Sequence, residues 1–509
     1  MPGERQYEVK AESIKPVGIN WEAVREWTRH CTTNHKSCAG PSEVLHIPGL
    51  KMIDCKTGKV GHFSENRAPY VALSYVWGES QDASVDYPQA ILDSTEAVLA
   101  LGLRYLWVDR ICIDQEDNIH KLAQIGMMDQ IYSRAHLTIV SCSDDAEQGL
   151  PGVGKSARHI YSPLWLGDRK VEYRFTPALS VASSRWIERG WTYQEGFFSR
   201  RKLFFTDAGV ALWCKSMYYE ESVSRSLKDT DEVRTDLFPL VPNKAMPVEL
   251  IEGSQRILWK IVQQYTEREI TFESDALNAC LGILNHLGHK HLWGVPIHDE
   301  ILTLGLGWDI QDGGLERRVE RTAFPSWSWT RWKATVSLNW QQKHPSSIVS
   351  IKTHLPSGEE FDIIHDSRYN GNLGAICSGT MLSITGTFLT PRLLVVETEY
   401  HVRCYSIFSS ACDADIKILI KLDNGDEALE IADADDIDFL EVEPLYKNTH
   451  GKFTGQFLLV RRLVDTYRRI GVAYLDINNY YEDTCAESER FEVGIVPMKR
   501  RRNRTIDLI

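Results

Sequence analysis

The stretch that decides the fold runs from Tyr70 to Ser143 and contains three apolar segments: YVALSYVWG (70–78), LRYLWVDRICIDQED (103–117) and HLTIVSCS (136–143). Short, continuous apolar runs of this kind are typical of buried β-strands. The segments between them carry apolar residues at helical spacing. Strand and helix therefore alternate along the chain, which predicts a parallel sheet with right-handed crossover helices.

The individual elements follow from the same runs. Strands are predicted at Val71–Tyr75, Tyr105–Ile113 and Leu137–Ser141, and a helix at Asp93–Leu101 with Asp93 or Ser94 as its cap. A second helix is predicted to begin after Asp117 or Asn118. Its predicted apolar face comprises Ile119, Leu122, Ile125, Met128 and Ile131.

The rest of the chain is predicted to add helical and β-rich regions. A helix or turn-helix is predicted over residues 185–198, and the closing strands of the domain at Leu203–Phe205 and Val210–Cys214. Residues 220–250 have the charged, proline-containing composition of a linker. The overall class is α+β, with an α/β N-terminal domain of TIR-like or flavodoxin-like topology. The predicted divisions are a helical segment (1–40), the α/β domain (41–220), a helical region with a Trp-rich segment (221–335) and a β-rich region (336–509).

The composition and charge of the chain exclude some classes of function. The chain has 509 residues, a formal net charge of −13 and 43% hydrophobic residues, which is ordinary globular composition. The negative charge argues against a nucleic-acid-binding surface, because phosphate binding needs clustered positive charge. No run has the length of a membrane span and the first residues lack the apolar core of a secretory signal, so a cytoplasmic location with reduced thiols is expected.

Polar and aromatic side chains follow the predicted strands. In an open α/β sheet, ligands bind just beyond the carboxyl ends of the strands, so these side chains are expected to form one composite site. A later segment, SRWIERGWTYQE (184–195), has the same mixture of acidic, amide and aromatic residues and is expected to join it. The candidate residues are Ser74, Tyr75, Trp77, Gly78, Asp109, Asp114, Gln115, Arg189, Trp191 and Glu195.

Four segments of the chain resemble the fungal heterokaryon-incompatibility (HET) domain over roughly residues 40–215. They are YVALSYVWG (70–78), LWVDRICIDQ (106–115), MDQIYSRAHLTIV (128–140) and RGWTYQE (189–195), and FPSWSWTRW (324–332) resembles a Trp-rich segment found downstream of such domains. The resemblance implies a fungal protein of nonself recognition, an innate-immunity-like system, whose domain triggers programmed cell death. It also implies a self-associating or recognition-protein partner.

The HET family has been compared with TIR domains, and this comparison implies a reaction. Enzymatic TIR domains carry a glutamate on a helix that contacts the ribose next to nicotinamide during NAD⁺ cleavage. By motif order this glutamate corresponds to Glu195. The reaction passes through an oxocarbenium-like ribose, which a carboxylate stabilises, and nicotinamide leaves without a strong general acid. NAD⁺ is thus the possible substrate, and no cofactor is required.

The other candidates have roles consistent with that reaction. Asp109 is the second predicted catalytic carboxylate, Trp77 and Trp191 are candidate ring platforms, and Arg189 is a candidate phosphate ligand. Asp114 and Gln115 are candidate hydroxyl ligands, while Ser74, Tyr75 and Gly78 lie at the end of the first strand.

Each role has a structural alternative. Glu195 could pair with Arg189 or Arg200, Asp109 could pair with Arg110, and Asp114 could support the N-terminus of the following helix. The two tryptophans could belong to the core. Asp109 and Asp114 could hold Mg²⁺, although two carboxylates are weak evidence and the predicted site contains no metal. A non-catalytic module that signals by self-association is the alternative function.

The segment GLPGVGKS (Gly149–Ser156) satisfies the pattern of a P-loop NTPase. A working P-loop needs a strand that runs directly into the loop and a helix that leaves it. Here six residues separate the predicted strand from Gly149, and Pro163 follows soon after. A plain turn is therefore the favoured interpretation.

Two further clusters stand outside the predicted site. Cys31, His35 and Cys38 have a spacing close to that of zinc ligands, with Cys55 or His30 as a guessed fourth ligand, but packing of small apolar thiols is favoured. The basic segment KRRRNR (499–504) is predicted to be a solvated tail.

Overall fold

The computed structural model forms two compact units, Met1–Glu249 with Arg268–Ile270, and Leu250–Glu267 with Thr271–Ile509. The structure describes residues 10–11, 14–39, 47–63, 68–78, 87–159, 164–166, 169–171, 176–224, 255–287, 290–297, 305–311, 319–338, 348, 350–355, 357–363, 381–390, 395–399, 402–407, 416–422, 437–447, 453–477 and 499–509. The first unit contains the candidate site. The predicted domain boundaries stay predictions.

The α-helices in the described part of the chain have between 4 and 14 residues. Those of the first unit are α1 (Trp21–Asn34), α2 (Gln89–Ala100), α3 (Asp109–Cys112), α4 (Asn118–Ile125), α5 (Met128–Arg134), α6 (Pro177–Ala182), α7 (Arg185–Glu188) and α8 (Gly190–Phe198). Those of the second unit are α9 (Gln255–Thr266) and α10 (Asn278–His286).

Strands occur in both units. Those of the first unit are β1 (Lys10–Ala11), β2 (Lys51–Asp54), β3 (Lys59–His62), β4 (Tyr70–Ser74), β5 (Tyr105–Trp107), β6 (Leu137–Ser141), β7 (Leu164–Leu166), β8 (Arg169–Val171), β9 (Arg201–Thr206), β10 (Gly209–Cys214), β11 (Tyr218–Glu220) and β12 (Val223–Ser224). Those of the second unit are β13 (Lys290–Leu292), β14 (Val295–Ile297), β15 (Trp308–Ile310), β16 (Val319–Glu320), β17 (Trp332–Lys333), β18 (Val336–Leu338), β19 (Ser350–His354), β20 (Glu360–Asp362), β21 (Leu382–Thr390), β22 (Val395–Glu399), β23 (Val402–Ile407), β24 (Ile416–Leu422), β25 (Ile437–Lys447), β26 (Phe453–Arg462), β27 (Tyr467–Ile477) and β28 (Lys499–Leu508).

The first unit is built on an eight-stranded mixed sheet with the order β11-β10-β9-β6-β4-β5-β2-β3. Its centre is parallel, because β4 pairs in parallel with both β5 and β6, and β6 with β9. The flanking strands are antiparallel. In order of appearance, the four parallel strands are therefore arranged 2-1-3-4. The α/β character, the parallel centre and the β-rich later region confirm the predicted class.

The apolar residues of the central strands are fully buried, and this explains why the sheet forms here. Every residue of β4, β6, β9 and β10 is buried. A core cluster joins β6, β9 and β10 to the helical segment that precedes β9. Its buried members are Val140, Val181, Trp186, Ile187, Phe204 and Trp213. The predicted strands at residues 71–75, 137–141, 203–205 and 210–214 are confirmed.

The second predicted strand is too long. β5 ends at Trp107, and Asp109–Cys112 forms a short helix instead of continuing to Ile113. The Asp109 carboxylate accepts a hydrogen bond from the amide of Arg110 at 2.7 Å, and the amide of Cys112 donates to Val108 O at 2.7 Å. The apolar residues around this turn, Val108, Ile111, Cys112 and Ile113, continue the run of β5, so composition alone did not reveal the turn.

The predicted helix after Asp117 is capped as expected but divides in two. The Asp117 carboxylate accepts from the amides of Ile119 and His120, and α4 ends at Ile125 before α5 begins at Met128. Ile119 and Leu122 are 84% and 66% exposed, so their assignment to the apolar face was wrong. The inner face of α4 is polar instead.

The polar contacts of α4 explain this reversal. Gln124 is buried and its side-chain amide donates to Pro48 O at 2.8 Å. The His120 ring lies 3.3 Å from Gly49 O. These two side chains attach α4 to the loop before β2, and this orientation turns Ile119 and Leu122 outward.

The glycine-rich segment Gly149–Ser156 forms a series of turns that hydrogen-bond to the side chain of Asp93. This buried residue lies inside α2, which begins at Gln89, so its predicted role as the helix cap was wrong. Its carboxylate accepts hydrogen bonds from the amide of Leu150 at 2.8 Å and the hydroxyl of Ser156 at 2.6 Å. Residues 151–159 contain no helix. A carboxylate thus occupies the loop, and the arrangement that a P-loop requires is absent from residues 141–159.

Replacing Asp93 with alanine is expected to lower the free energy of unfolding by about 3 kcal/mol, because it leaves buried donors of the loop without an acceptor. Urea unfolding of the full chain measures this change. The exposed Glu96→Ala substitution on the same helix is the matched control and should stay within about 0.5 kcal/mol of the wild type. Equal losses in both variants would contradict the assigned role of Asp93.

The second unit contains a ten-stranded sheet with the path β20-β19-β21-β25-β26-β27-β24-β23-β22, and β28 pairs with β21 and β27. The basic segment 499–504 lies in β28, so the prediction of a solvated tail was wrong. The Arg504 guanidinium donates to the buried carboxylate of Asp438 at 2.7 Å. Pairing with β21 and this ion pair hold the segment in the sheet.

Candidate active site

The centre of the candidate site is a hydrogen bond between the end of β4 and helix α8. Ser74 is the last residue of β4, and its hydroxyl donates to Oε2 of Glu195. The indole Nε1 of Trp186, from α7, donates to the same hydroxyl oxygen at 2.6 Å. Trp186, Ser74 and Glu195 therefore form a chain of hydrogen bonds that ends on the carboxylate.

A second aromatic residue, Tyr132, also contacts Glu195. Tyr132 of α5 is fully buried, and its hydroxyl donates to Leu73 O at 3.1 Å. The same hydroxyl also interacts with the Glu195 carboxyl group. Glu195 itself is only 5% exposed. The sequence thus places a carboxyl group in an apolar interior, supported by two hydroxyl groups.

This environment controls the ionisation of Glu195. Burial raises the pKa of the carboxyl group, the negative charge of Asp109 adds to this rise, and the resulting pKa is about 7. The hydrogen bond from Ser74 and the charge of Arg189 act in the opposite direction. A carboxyl group that titrates near neutral pH can hold or release a proton under physiological conditions, as general acid–base groups do.

Asp109 is the second carboxyl group of the site. It is partly exposed, and the indole Nε1 of Trp77 donates to its two carboxylate oxygens at 3.2 and 3.0 Å. Loss of hydration raises its pKa to about 6, against the lowering effects of the Arg110 amide and the charge of Arg189. Two carboxyl groups with raised pKa values therefore share this edge of the sheet.

Tyr75 and Gly78 complete the segment after β4. Tyr75 is 4% exposed, and its hydroxyl has no hydrogen-bond partner among the described residues. Gly78 has a φ of +82°, and a Cβ at this position would lie 2.7 Å from a carboxylate oxygen of Asp145. Only glycine fits this turn without strain.

Asp114 and Gln115 have contacts away from Glu195. The Asp114 carboxylate lies 3.5 Å from Lys51 Nζ, and the backbone amide of Glu116 lowers its pKa. The side-chain amide of Gln115 donates to Asp109 O and Ile113 O, both at 3.3 Å. Gln115 thus supports the backbone of Asp109. Because Asp109 faces Trp77 while Asp114 faces Lys51, the geometry gives no support to a shared Mg²⁺ ion.

Arg189 and Trp191 flank the start of α8. Arg189 is the residue before the helix and both side chains are partly buried. The segment Arg268–Ile270 of the same unit packs here: the Gly190 amide donates to Glu269 O at 2.8 Å, and Arg268 Nη1 donates to Arg189 O at 3.2 Å. A Cβ on Gly190 would overlap the Ile270 side chain. The motif RGW therefore needs glycine for close backbone packing.

The alternative pairing of Glu195 with Arg200 is wrong. The Arg200 guanidinium donates to the backbone carbonyl oxygens of Arg134 at 3.3 Å and Ala135 at 3.2 Å. Its charge is directed to the end of α5, so Glu195 relies on hydroxyl groups for its hydrogen bonds.

Trp186 and Tyr132 were not predicted as site residues. Tyr132 lies inside the HET-like segment 128–140, and Trp186 lies in the segment 184–195 that was expected to join the site. They do pack in the core, where Trp186 contacts Phe204 and Tyr132 contacts Trp107 edge to face. The polar atom of a buried Trp or Tyr usually has a hydrogen-bond partner. This was the one signal in the sequence that could have indicated a polar contact in addition to core packing.

The site lies within a segment that matches a known family. Residues 70–195 match the family model described as Heterokaryon incompatibility protein (HET). The match spans β4 to α8 and ends on Glu195. It supports a HET protein, in agreement with the predicted resemblance. We refer to residues 70–195 as the HET segment.

One curated relative agrees with this result. "Heterokaryon incompatibility protein 6, OR allele" from Neurospora crassa is 29% identical in the aligned region, which covers 24% of this chain and 25% of that protein. The chain therefore spans about a quarter of the length of the relative that it matches. No solved structure is a significant match. No helix in the described ranges combines the length and apolar character needed to cross a membrane.

Proposed function

We propose that this chain is a cell-death effector in heterokaryon incompatibility and that its HET segment cleaves NAD⁺ at a site centred on Glu195. The match of residues 70–195 and the similarity to the Neurospora crassa protein support the cellular role. The observation that carries the enzymatic proposal is the pair of carboxyl groups, Glu195 and Asp109, with raised pKa values at one edge of the sheet.

The order of the parallel strands supports a TIR-like, flavodoxin-like topology for this segment. In the flavodoxin-like order 2-1-3-4, ligands bind between the first and third strands, where the direction of the chain crossovers reverses. Those strands are β4 and β6. Ser74 ends β4 and contacts Glu195, so the candidate carboxyl group lies beside this switch point.

The proposed reaction is hydrolysis of the N-glycosidic bond of NAD⁺. The bond between the ribose C1′ and the nicotinamide nitrogen breaks, and its electron pair neutralises the pyridinium ring of the departing nicotinamide. Water adds to C1′ and loses a proton, giving ADP-ribose and nicotinamide. A carboxylate beside C1′ stabilises the positive charge that develops on the ribose.

The burial and contacts of each site residue indicate its role in this reaction. Glu195 supplies the carboxylate, and Ser74 orients it through the hydrogen bond to Oε2. Asp109 is more exposed and is the candidate acceptor for ribose hydroxyl groups, while Trp77 holds it in place. Arg189 is the candidate ligand for the diphosphate. The reaction needs Glu195 ionised, so its rate is expected to increase with pH through about 7.

A non-catalytic signalling module is the second candidate. Glu195 is only 5% exposed and accepts a hydrogen bond from Ser74. Both observations favour this function, because a buried carboxyl group with a purely structural role also needs a hydrogen-bond donor. Under this alternative the chain acts by self-association or through a recognition protein, and substitution of Glu195 alters stability without altering NAD⁺.

Release of nicotinamide from NAD⁺ by the purified full chain tests the proposal. The wild type is expected to release nicotinamide, and Glu195→Gln to reduce the rate by about 10²–10³-fold, the size typical of losing one group that stabilises transition-state charge. Glu188→Gln is the matched control, since Glu188 is exposed and precedes the same motif. Equal rates for wild type and Glu195→Gln, or no release above buffer from either, would contradict the enzymatic proposal.

A further inference from the structure

Three buried cysteines and one half-buried histidine form a cluster where α1 meets the end of β10 in the first unit. Cys31 belongs to the last turn of α1, His35 directly follows that helix, and Cys38 ends the short 3₁₀ helix after it. Cys214 is the last residue of β10. The candidate ligand atoms of these four residues all lie within 4.8 Å of one another.

The geometry is close to that of a closed tetrahedral site. With Zn–S bonds of about 2.3 Å and Zn–N bonds of about 2.0 Å, sulfur and nitrogen ligands of a tetrahedral zinc site lie roughly 3.5 Å apart, and two sulfur ligands roughly 3.8 Å apart. The Cys214 sulfur and His35 Nδ1 are separated by 3.4 Å. The remaining separations are at most 4.8 Å, within about 1 Å of the spacing in a tetrahedral site.

The surroundings of the sulfur atoms are suited to thiolate ligands. Three thiolates and one neutral histidine around Zn²⁺ carry a net charge of −1. The buried Arg201 guanidinium lies against this charge, because its Nη1 is 3.8 Å from the Cys31 sulfur and donates to Cys38 O at 3.0 Å. Backbone amides of Met217 and Ser216 point at the Cys214 sulfur at 3.2 and 3.5 Å.

Packing of apolar thiols does not account for these contacts. A cluster that was only apolar would not need a histidine nitrogen beside a sulfur or two backbone amides and a buried arginine directed at sulfur atoms. The three cysteines are free thiols. Outer-sphere donors of this kind orient and stabilise metal ligands.

We propose that Cys31, His35, Cys38 and Cys214 bind one Zn²⁺ ion that fixes α1 and the following turn to the end of β10. All four ligands come from the protein, so the site is structural. Binding displaces the thiol protons as the sulfur atoms coordinate the ion. The fourth ligand differs from both guesses made from the sequence: His30 Nδ1 contacts the Tyr219 hydroxyl at 2.8 Å, and Cys55 lies outside the cluster.

Metal analysis of the full chain, purified in reducing buffer without chelator, tests this assignment. The wild type is expected to contain about one zinc ion per chain. The zinc content of Cys38→Ser is expected to be at least about tenfold lower. Cys55→Ser is the matched control, since it removes another buried cysteine, and should keep its zinc. Zinc-free wild type after incubation with zinc, or equal zinc loss in Cys55→Ser, would overturn the proposal.

A measurement on the unmodified chain keeps the test valid if the Cys38 variant fails to fold. Replacement of zinc by Co²⁺ is expected to give thiolate-to-cobalt charge-transfer bands and the intense visible bands of tetrahedral cobalt. Removal of the metal by a chelator is expected to lower Tm by at least about 5 °C, reversed by added zinc. A weak octahedral cobalt spectrum, or a Tm that the chelator leaves unchanged, would overturn it.

Discussion

Cells that express the Glu195→Gln variant are expected to survive and keep their NAD⁺, whereas cells that express the wild type at the same level lose NAD⁺ and die. The substitution keeps the size of the side chain and its position beside Ser74, but it removes the negative charge that stabilises the ribose cation. A loss of about 10²–10³-fold in rate leaves too little turnover to deplete the cellular pool. NAD⁺ content and colony survival after induction in a fungal host measure the effect.

The control and the order of events distinguish the two candidate functions. Glu188→Gln, at an exposed position before the same motif, should kill as the wild type does. Depletion of NAD⁺ should precede the loss of viability if it is the cause. Death with unchanged NAD⁺ in both the wild type and Glu195→Gln would contradict the glycohydrolase and favour the module that acts by assembly.

The stability of the wild type is expected to fall as the pH rises from about 5 to 8, and the Glu195→Gln variant is expected to lose much of this dependence. The folded pKa of Glu195 is about 7, above the ordinary value of 4.5. Below pH 4.5 the carboxyl group is protonated in both states. Between 4.5 and 7 the folded state retains a proton that the unfolded state has lost, so raising the pH favours unfolding.

The expected size of this effect is large for one residue. A difference of 2.5 between the two pKa values corresponds to about 3 kcal/mol at pH 8, which is a sizeable part of the stability of a typical domain. Urea unfolding followed by tryptophan fluorescence at pH 5, 6, 7 and 8 measures it. Glu188→Gln should follow the wild type. Parallel profiles for the wild type and Glu195→Gln would show that Glu195 does not carry the raised pKa.

This stability cost is relevant to function whichever candidate function holds. A protein that buried Glu195 only to fill space would be more stable with an apolar or amide side chain at that position. Trp186 donates to the Ser74 hydroxyl, and Ser74 donates to the carboxyl group, so the carboxyl group is oriented without its charge being neutralised. Such an arrangement is typical of carboxyl groups that react or that bind a positively charged group.

Local sequence was sufficient for the strands and for one helix cap. β4, β6, β9 and β10 are continuous apolar runs with buried side chains, and Asp117 caps α4 through its own carboxylate. Burial and capping act within a few residues, so they leave a readable pattern. The same pattern failed at Asp109–Cys112, where a turn of helix is as apolar as a strand, and at α4, whose buried face is polar.

The membership of the candidate site was partly determined by the sequence. Ser74, Asp109 and Glu195 were predicted from polar residues at strand ends and from the resemblance to the HET domain. Asp114 was predicted on the same grounds but faces Lys51, because the chain turns into α3 after Trp107. Trp186 and Tyr132 were not predicted, since nothing in a sequence tells which buried aromatic residue directs its polar atom at Ser74 or Glu195.

The sequence by itself determined the α/β class, the apolar central strands and the residue types of the site. Only the tertiary structure decided which of those residues meet. Glu195 and Ser74 are 121 positions apart, and Cys214 reaches Cys38 from the far end of β10. Such contacts depend on strand order and on the path of each connection. Those are set by the packing of the whole unit, so no local pattern encodes them.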